Sequence, residues 1–248
     1  MSDKPATVMI GPALNGNSAG ASYMGAAPLN TAPRATSLVA GLMADPALGA
    51  RRVHLVSGTI VYDTDTPAGH IHLIQGGEVR LYQLSLDGSR RLLEILGPGQ
   101  WFGVEAVGRM TRYDGQAQAV QETTLLVLPA PRFLSALSQH PQISLEIIGQ
   151  LAGRLSDATA EASGLAFDDC RRRLIKTLLR FSRSAAATQN GEDVILRMTH
   201  EQLAQAIGAA RETVSLTLTE LRQANLLRTG RNRLAFNFQT LNASLNHD

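Results

Sequence analysis

A single cysteine, Cys170, occurs in 248 residues. An intramolecular disulfide is therefore excluded, and a cysteine-held iron-sulfur cluster or structural zinc site lacks its ligands. No uninterrupted apolar run approaches the ~18 residues a membrane-spanning helix needs. The N-terminus lacks the basic-then-apolar order of a secretory signal. These absences predict a soluble cytoplasmic chain with no membrane partner. No nucleophile with a paired base is visible either, so the pattern of covalent catalysis is missing.

What is present starts with an uneven charge. The net charge is +2, yet residues 171–248 hold 12 Lys and Arg against 6 Asp and Glu, and residues 1–170 hold 11 against 15. A basic C-terminal module on a mildly acidic body is the electrostatic footprint of a phosphate-backbone binder, although ordinary surfaces carry comparable excesses. The length suits two domains of roughly 100 residues each plus a tail.

Residues 1–33 are rich in Gly, Ala, Pro, Asn and Ser, show neither amphipathic period, and read as a flexible leader. Residues 34–135 contain short β-rich runs (VHLV, TIVYD, HIHLIQGGEVRLYQLS, RRLLEIL, QWFGVEAV, QAQAV, TTLLVLP) between turn signals such as TPAG, LDGS and GPG. About eight strands of this kind suit an antiparallel jelly roll. In LSLDGSRRLL, Asp87-Gly88 supplies the positive φ of a hairpin. The period then changes to 3.6 over residues 136–166. There Ile148, Leu151, Leu155, Ala158, Ala162 and Leu165 form a heptad seam that wants a partner helix, and the small alanines would let two copies approach closely. The remainder, 167–248, opens with the basic amphipathic helix CRRRLIKTLLRFSR, with Leu174, Leu178 and Phe181 inward. SAAATQNGED reads as a loop.

RETVSLTLTELR, residues 211–222, fits both a strand and a helix by period. Its context favours the helix. Thr199 with Gln202 makes a capping box ahead of HEQLAQAI, and Gly208 ends that first helix. A strand after Gly208 would expose Leu221 and leave the short helix unpartnered. On a helix at about 100° per residue, Val214, Leu218 and Leu221 share one edge, whereas Arg211, Glu212, Ser215, Leu216 and Thr219 share the other. Arg and Glu at the start of a second helix suit a major groove, since Arg forks onto guanine and Glu accepts from cytosine N4. LLRTGRNRLAFNF then reads as a β-hairpin around a Thr-Gly turn, bringing Arg228, Arg231 and Arg233 to a wing beside flanking phosphates. The fold class is α+β: an N-terminal antiparallel β-roll (jelly roll), a long dimerisation helix and a C-terminal winged helix-turn-helix domain.

HLIQGGEVRLYQLSLDGSRRLLEILGPGQWFG and THEQLAQAIGAARETVSLTLTELRQANLL, in that order around a long helix, resemble the Crp-Fnr family of bacterial transcription regulators over residues 52–238. The resemblance implies a homodimer on a pseudo-palindromic double-stranded DNA site, meeting RNA polymerase, with no enzymatic activity. It assigns base reading to Arg211 and Glu212, and reading or a phosphate contact to Ser215. Thr199, Thr219, Arg228, Arg231 and Arg233 complete the expected DNA-binding set. Leu216 stands where several members carry a second base-reading Arg, so contact with a thymine methyl is the expectation there.

Family members that bind cyclic AMP hold its ribose with Gly-Glu and its phosphate with Arg-Ser or Arg-Thr. Here the corresponding stretch is Phe102-Gly103-Val104-Glu105, followed after RMTRYD by Gly115-Gln116-Ala117. The Glu is displaced by one position and the Arg-Ser pair is absent. On a strand, one residue of shift turns the carboxylate to the opposite face. Cyclic AMP is therefore not expected, no cofactor is assigned, and an unidentified small-molecule effector stays open. Gly103, Glu105, Arg112, Tyr113 and Gln116 are the candidate pocket residues, with Arg112 and Tyr113 either anchoring an acidic ligand or filling the pocket. His70 and His72, on one strand face with Glu78 following, leave two alternatives: a cupin-type metalloenzyme, or a haem-dependent regulator. A sensing module acting on a partner protein rather than DNA is a third.

Overall fold

A computed structural model describes residues 48–108 and 110–246; the leader expected over residues 1–33 lies outside them. Among the described residues, eight strands build the roll: β1 (Arg51–Leu55), β2 (Ile60–Tyr62), β3 (His70–Gly76), β4 (Val79–Leu84), β5 (Arg90–Leu96), β6 (Trp101–Phe102), β7 (Gln116–Ala119) and β8 (Thr123–Pro129). They form two four-stranded antiparallel sheets, ordered β1-β8-β3-β6 and β2-β7-β4-β5. Strand alternation sorts their side chains. Ile71 and Leu73 of β3, with Leu126 and Leu128 of β8, pack outward under helices on Phe133, Ala136 and Ile143. Ile74, Leu125 and Val127 face inward onto Tyr62, Val79, Phe102 and Tyr113. Both faces of the first sheet are thus covered, which is why β3 and β8 carry near-continuous apolar runs.

The hairpin expected at Asp87-Gly88 joins β4 to β5. Gly88 has φ 82°, and the Asp87 carboxylate accepts hydrogen bonds from Ser85 and Ser89. The run QWFGVEAV is only partly a strand. Trp101 and Phe102 pair with β3, but Val104–Val107 turn into a 3-10 helix after Gly103.

Helix α1 (Ala130–Gln139) and helix α2 (Pro141–Phe167) replace the single span expected from 136 to 166. Pro141 forces the break, because it has no N–H for the helical ladder and biases His140 to an extended conformation, φ −127°. Only Ile143 and Gly164 of α2 are buried. The polar side of α2 meets the roll. Gln150 accepts from the Trp101 N–H at 3.0 Å, and Arg154 donates to the Trp101 carbonyl at 2.6 Å and pairs with Glu94 at 3.0 Å.

Helix α3 (Cys170–Phe181) begins at Asp169, whose carboxylate accepts from the Arg172 N–H at 2.7 Å, and it buries Leu174, Leu178 and Phe181 as expected. Part of the expected loop is instead a hairpin of β9 (Ala187–Asn190) and β10 (Asp193–Leu196). The two-residue turn is Gly191-Glu192, and glycine at its first position, with φ 61°, is the signal that betrays it. Helices α4 (His200–Ile207) and α5 (Arg211–Gln223) follow, then β11 (Arg228–Gly230), β12 (Arg233–Asn237) and α6 (Phe238–Ala243). The last strands extend the hairpin to a sheet ordered β11-β12-β10-β9.

The core of this C-terminal region is continuous with one edge of the roll. Tyr82, Leu92 and Ile95 of β4 and β5 share a cluster with Leu178, Leu196, Leu203, Ile207 and Leu218. Contact is close at Gly97, where an added Cβ would lie 2.7 Å from the Ala185 Cβ. Glu161 of α2 clasps Arg91 of β5 and, at 3.1 Å, Arg180 of α3.

Candidate nucleic-acid interface

The turn between α4 and α5 is set by two local devices. The Thr199 hydroxyl accepts from the Gln202 N–H at 3.1 Å while the Gln202 side chain accepts from the Thr199 N–H at 2.9 Å, so both ends of the capping box are closed. Gly208 ends α4 at φ 63°, a left-handed conformation that costs glycine nothing, and Arg173 caps the Ile207 carbonyl at 3.1 Å. Val214, Leu218 and Leu221 of α5 are fully buried, and Thr217 joins them at 6 % exposure. The opposite edge is open: Arg211, Glu212 and Thr213 are exposed, and Leu216 is 67 % exposed. The helical period of RETVSLTLTELR is therefore the real one.

The hydroxyls on this edge are more committed than their spacing suggested. Ser215 donates to the Arg211 carbonyl and Thr219 to the Ser215 carbonyl, each at 2.9 Å, which leaves both oxygens as acceptors. A phosphate offers only acceptors, so neither hydroxyl can serve it in this geometry. Thr199 uses only its acceptor side in the cap, so its proton stays free.

The wing turns at Arg231-Asn232 rather than Thr229-Gly230. Gly230 pairs with Arg233 across the hairpin, and Asn232 takes φ 54°. A two-residue turn needs positive φ, and Asn tolerates it. Arg231 is thus at the tip, and neither it, Arg233 nor Arg211 forms an ion pair among the described residues. Arg228 differs: its guanidinium is clasped by Asp193 on β10. Helix α4, Arg211 and the wing enclose a cleft lined also by Met198, His200, Glu201, Asn232 and Arg233. His200 was not singled out by sequence. Its Nδ1 lies 2.9 Å from the Ser215 hydroxyl, fifteen residues away, a contact that no local spacing reveals.

Among the described residues, the candidate effector residues are each held by their neighbours. Tyr113 is buried, stacks on Tyr62 with ring centres 3.8 Å apart, and its hydroxyl accepts from the His70 N–H and donates to the His70 carbonyl. His72 stacks on Phe102 at 4.8 Å, and Gly103 passes so close that an added Cβ would be 2.9 Å from His72 Nδ1. Gln116 donates to Asp63 at 2.9 Å, which helps hold that carboxyl below its ordinary range. Arg112 is an exposed rim residue on Asp65. Glu105 corrects the strand argument. Because it sits on a 3-10 turn, successive side chains are about 120° apart rather than opposed. Its carboxylate is turned inside, with Oε2 buried and without a partner among the described residues. Burial, reinforced by Glu105, pushes the Tyr62 phenol far up.

The histidine alternative finds little geometry. Burial and the neighbouring His70 push His72 down to about 3, so it stays neutral. Glu78 is spent on Arg80 at 2.8 Å, and among the described residues no three metal-capable side chains meet.

Comparison with known proteins gives the same assignment. Residues 52–140 match the cyclic nucleotide-binding domain family, and residues 172–242 the Crp-like helix-turn-helix domain family. The chain is 31% identical over 180 residues to the cyclic AMP receptor protein of Thermus thermophilus, covering 73% of this chain and 80% of that one. It is 28% identical over 220 residues to the nitrogen fixation regulation protein FixK of Bradyrhizobium diazoefficiens, covering 88% of both. A solved structure of the c-di-GMP responsive global regulator CLP from Xanthomonas campestris superposes with a TM-score of 0.69 at 25% identity, over 80% of this chain and 99% of that one. These relatives are transcription regulators, not enzymes. The chain belongs to the Crp-Fnr family of DNA-binding transcription regulators.

Proposed function

We propose that two copies pair along α2 and present their α5 helices to successive major grooves of a pseudo-palindromic duplex, half-sites about 34 Å apart. Arg211 and Glu212 read base edges, Leu216 meets a thymine methyl, and Arg231 and Arg233 hold phosphates. Arg228 stays with Asp193, and Ser215 and Thr219 position the helix. The domain limits follow: a roll over 34–135, a pairing helix from Pro141 into the 160s, and a DNA-binding domain over 167–248. A regulator of this design works in the cytoplasm and addresses RNA polymerase. The observation that carries the reading is the open Arg211–Glu212–Leu216 edge opposite a sealed one.

The roll is assigned no cyclic AMP. Tyr62, His72, Phe102 and Tyr113 fill the interior beside the segment that holds the nucleotide in cyclic-AMP-binding members, and no Arg-Ser clamp is present. A different small polar effector remains the second reading, favoured by two atoms of that interior that find no partner among the described residues, Glu105 Oε2 and His72 Nδ1. Selection of bound duplexes from a random pool, with and without cell metabolites, tests both. A symmetric site enriched equally in either condition supports the first reading; enrichment only with metabolites supports effector dependence. Binding insensitive to salt would remove DNA as the target.

A further inference from the structure

His200 occupies the cleft between the reading helix and the wing, and its hydrogen bonds make a demand on its protons. The Ser215 hydroxyl has one proton, given to the Arg211 carbonyl at 2.9 Å. Ser215 can therefore only accept from His200, so the 2.9 Å contact requires a proton on Nδ1. Neutral imidazole then carries a bare Nε2, which makes no hydrogen bond to any described residue. A bare nitrogen repels a phosphate oxygen; a protonated one donates to it.

We propose that His200 takes up a proton when the chain binds duplex DNA, keeping Nδ1–H on Ser215 and giving Nε2–H to a backbone phosphate. This inference rests on the DNA-binding reading above. The two demands are met together only by the imidazolium, because either neutral tautomer leaves one unanswered. The charged groups that face the cleft are Glu201 on the same helix, Arg211 on the reading helix and Arg233 on the wing. The arriving phosphate shifts the balance towards protonation. His200 is half-buried, so the duplex can reach it. Through Ser215 it also ties α4 to the reading helix, which makes it a positioning residue as well as a phosphate contact.

A phosphate contact does not depend on sequence, so random-sequence duplex DNA serves as the probe. Anisotropy titrations of the full chain at fixed low salt, from about pH 6 to pH 8, span the histidine range. Affinity should rise as pH falls, by up to about tenfold per pH unit per bound protomer. His200→Asn retains a neutral donor near Ser215 but cannot take up the proton, and should lose that slope. Ser215→Ala removes the need for Nδ1–H and should shrink it. An equal slope in wild type and His200→Asn, a full slope in Ser215→Ala, or salt-sensitive wild-type binding with no slope would each overturn the proposal. Absence of salt-sensitive binding at every pH would overturn the DNA-binding reading beneath it instead.

Discussion

At the scale of single residues, the cations of the C-terminal domain divide by partner. Arg211 is exposed, without an ion pair among the described residues and on the open edge of α5, so Arg211→Ala should cost about 1–3 kcal/mol on the selected site and relax preference at one base pair. Arg231, at the wing tip, should act through phosphates: Arg231→Ala weakens all sequences alike and lowers the salt slope by about one. Equal losses on every sequence for Arg211→Ala would remove it from base reading. In the roll, His72 makes stability depend on pH. Its folded value of about 3 lies below the ~6.5 of an unfolded chain. The unfolded state therefore binds more protons below about pH 6.5, and stability falls as pH drops from there towards 3, by at most about 1.4 kcal/mol per unit. The depressed carboxylates Asp63 and Asp87 act lower, below the ordinary carboxylate range near 4. Denaturant melts at pH 7 and 5.5 should show the loss in the wild type and little of it in His72→Phe. A pH dependence that survives the substitution would assign it elsewhere.

At the scale of elements, α2 is built opposite to a helix that serves its own domain. Gln150, Arg154 and Glu161 face the chain, while Leu145, Ile148, Leu155 and Leu165 are between 49 % and 71 % exposed. Leu151, at 41 %, lies on the same stripe. The heptad stripe is thus not spent on the chain's own core. Replacing Leu151 and Leu155 together by Glu should give monomers by sedimentation, with duplex affinity lost and the melting of the single chain shifted little. A persistent dimer would place the interface elsewhere. The elements themselves were largely readable, since alternation in β3 and β8, the capping box at Thr199 and the stripe in α5 are local patterns. Where periodicity misleads, another local signal outweighs it. Pro141 splits the helical span, Gly191-Glu192 makes a hairpin of an apparent loop, and Gly103 turns FGVEAV out of its strand.

At the scale of the whole molecule, the DNA-binding domain shares apolar packing with its own roll at Tyr82, Leu92 and Ile95, and at Gly97 there is no room for a Cβ beside Ala185. Gly97→Val would drive a side chain into Ala185, with a cost of about 1–3 kcal/mol. The expected outcome is faster hydrogen exchange on both sides of the contact, in β5 and around residues 182–187. Unchanged exchange on the domain side would show that the contact does not restrain it. Glu161, held by an arginine from each side, carries the same restraint through charge.

The sequence by itself determined the order of roll, long helix and winged helix, and which edge of α5 is apolar, because side-chain periodicity and turn chemistry act over a few residues. Only the tertiary structure decided which polar groups are spent. Arg228 on Asp193, Ser215 on His200, and Tyr113 on Tyr62 all pair residues whose proximity is made by the packing of separate elements. A hydrogen bond or ring contact needs atoms within a few ångströms, and local periodicity carries no information about which distant elements meet.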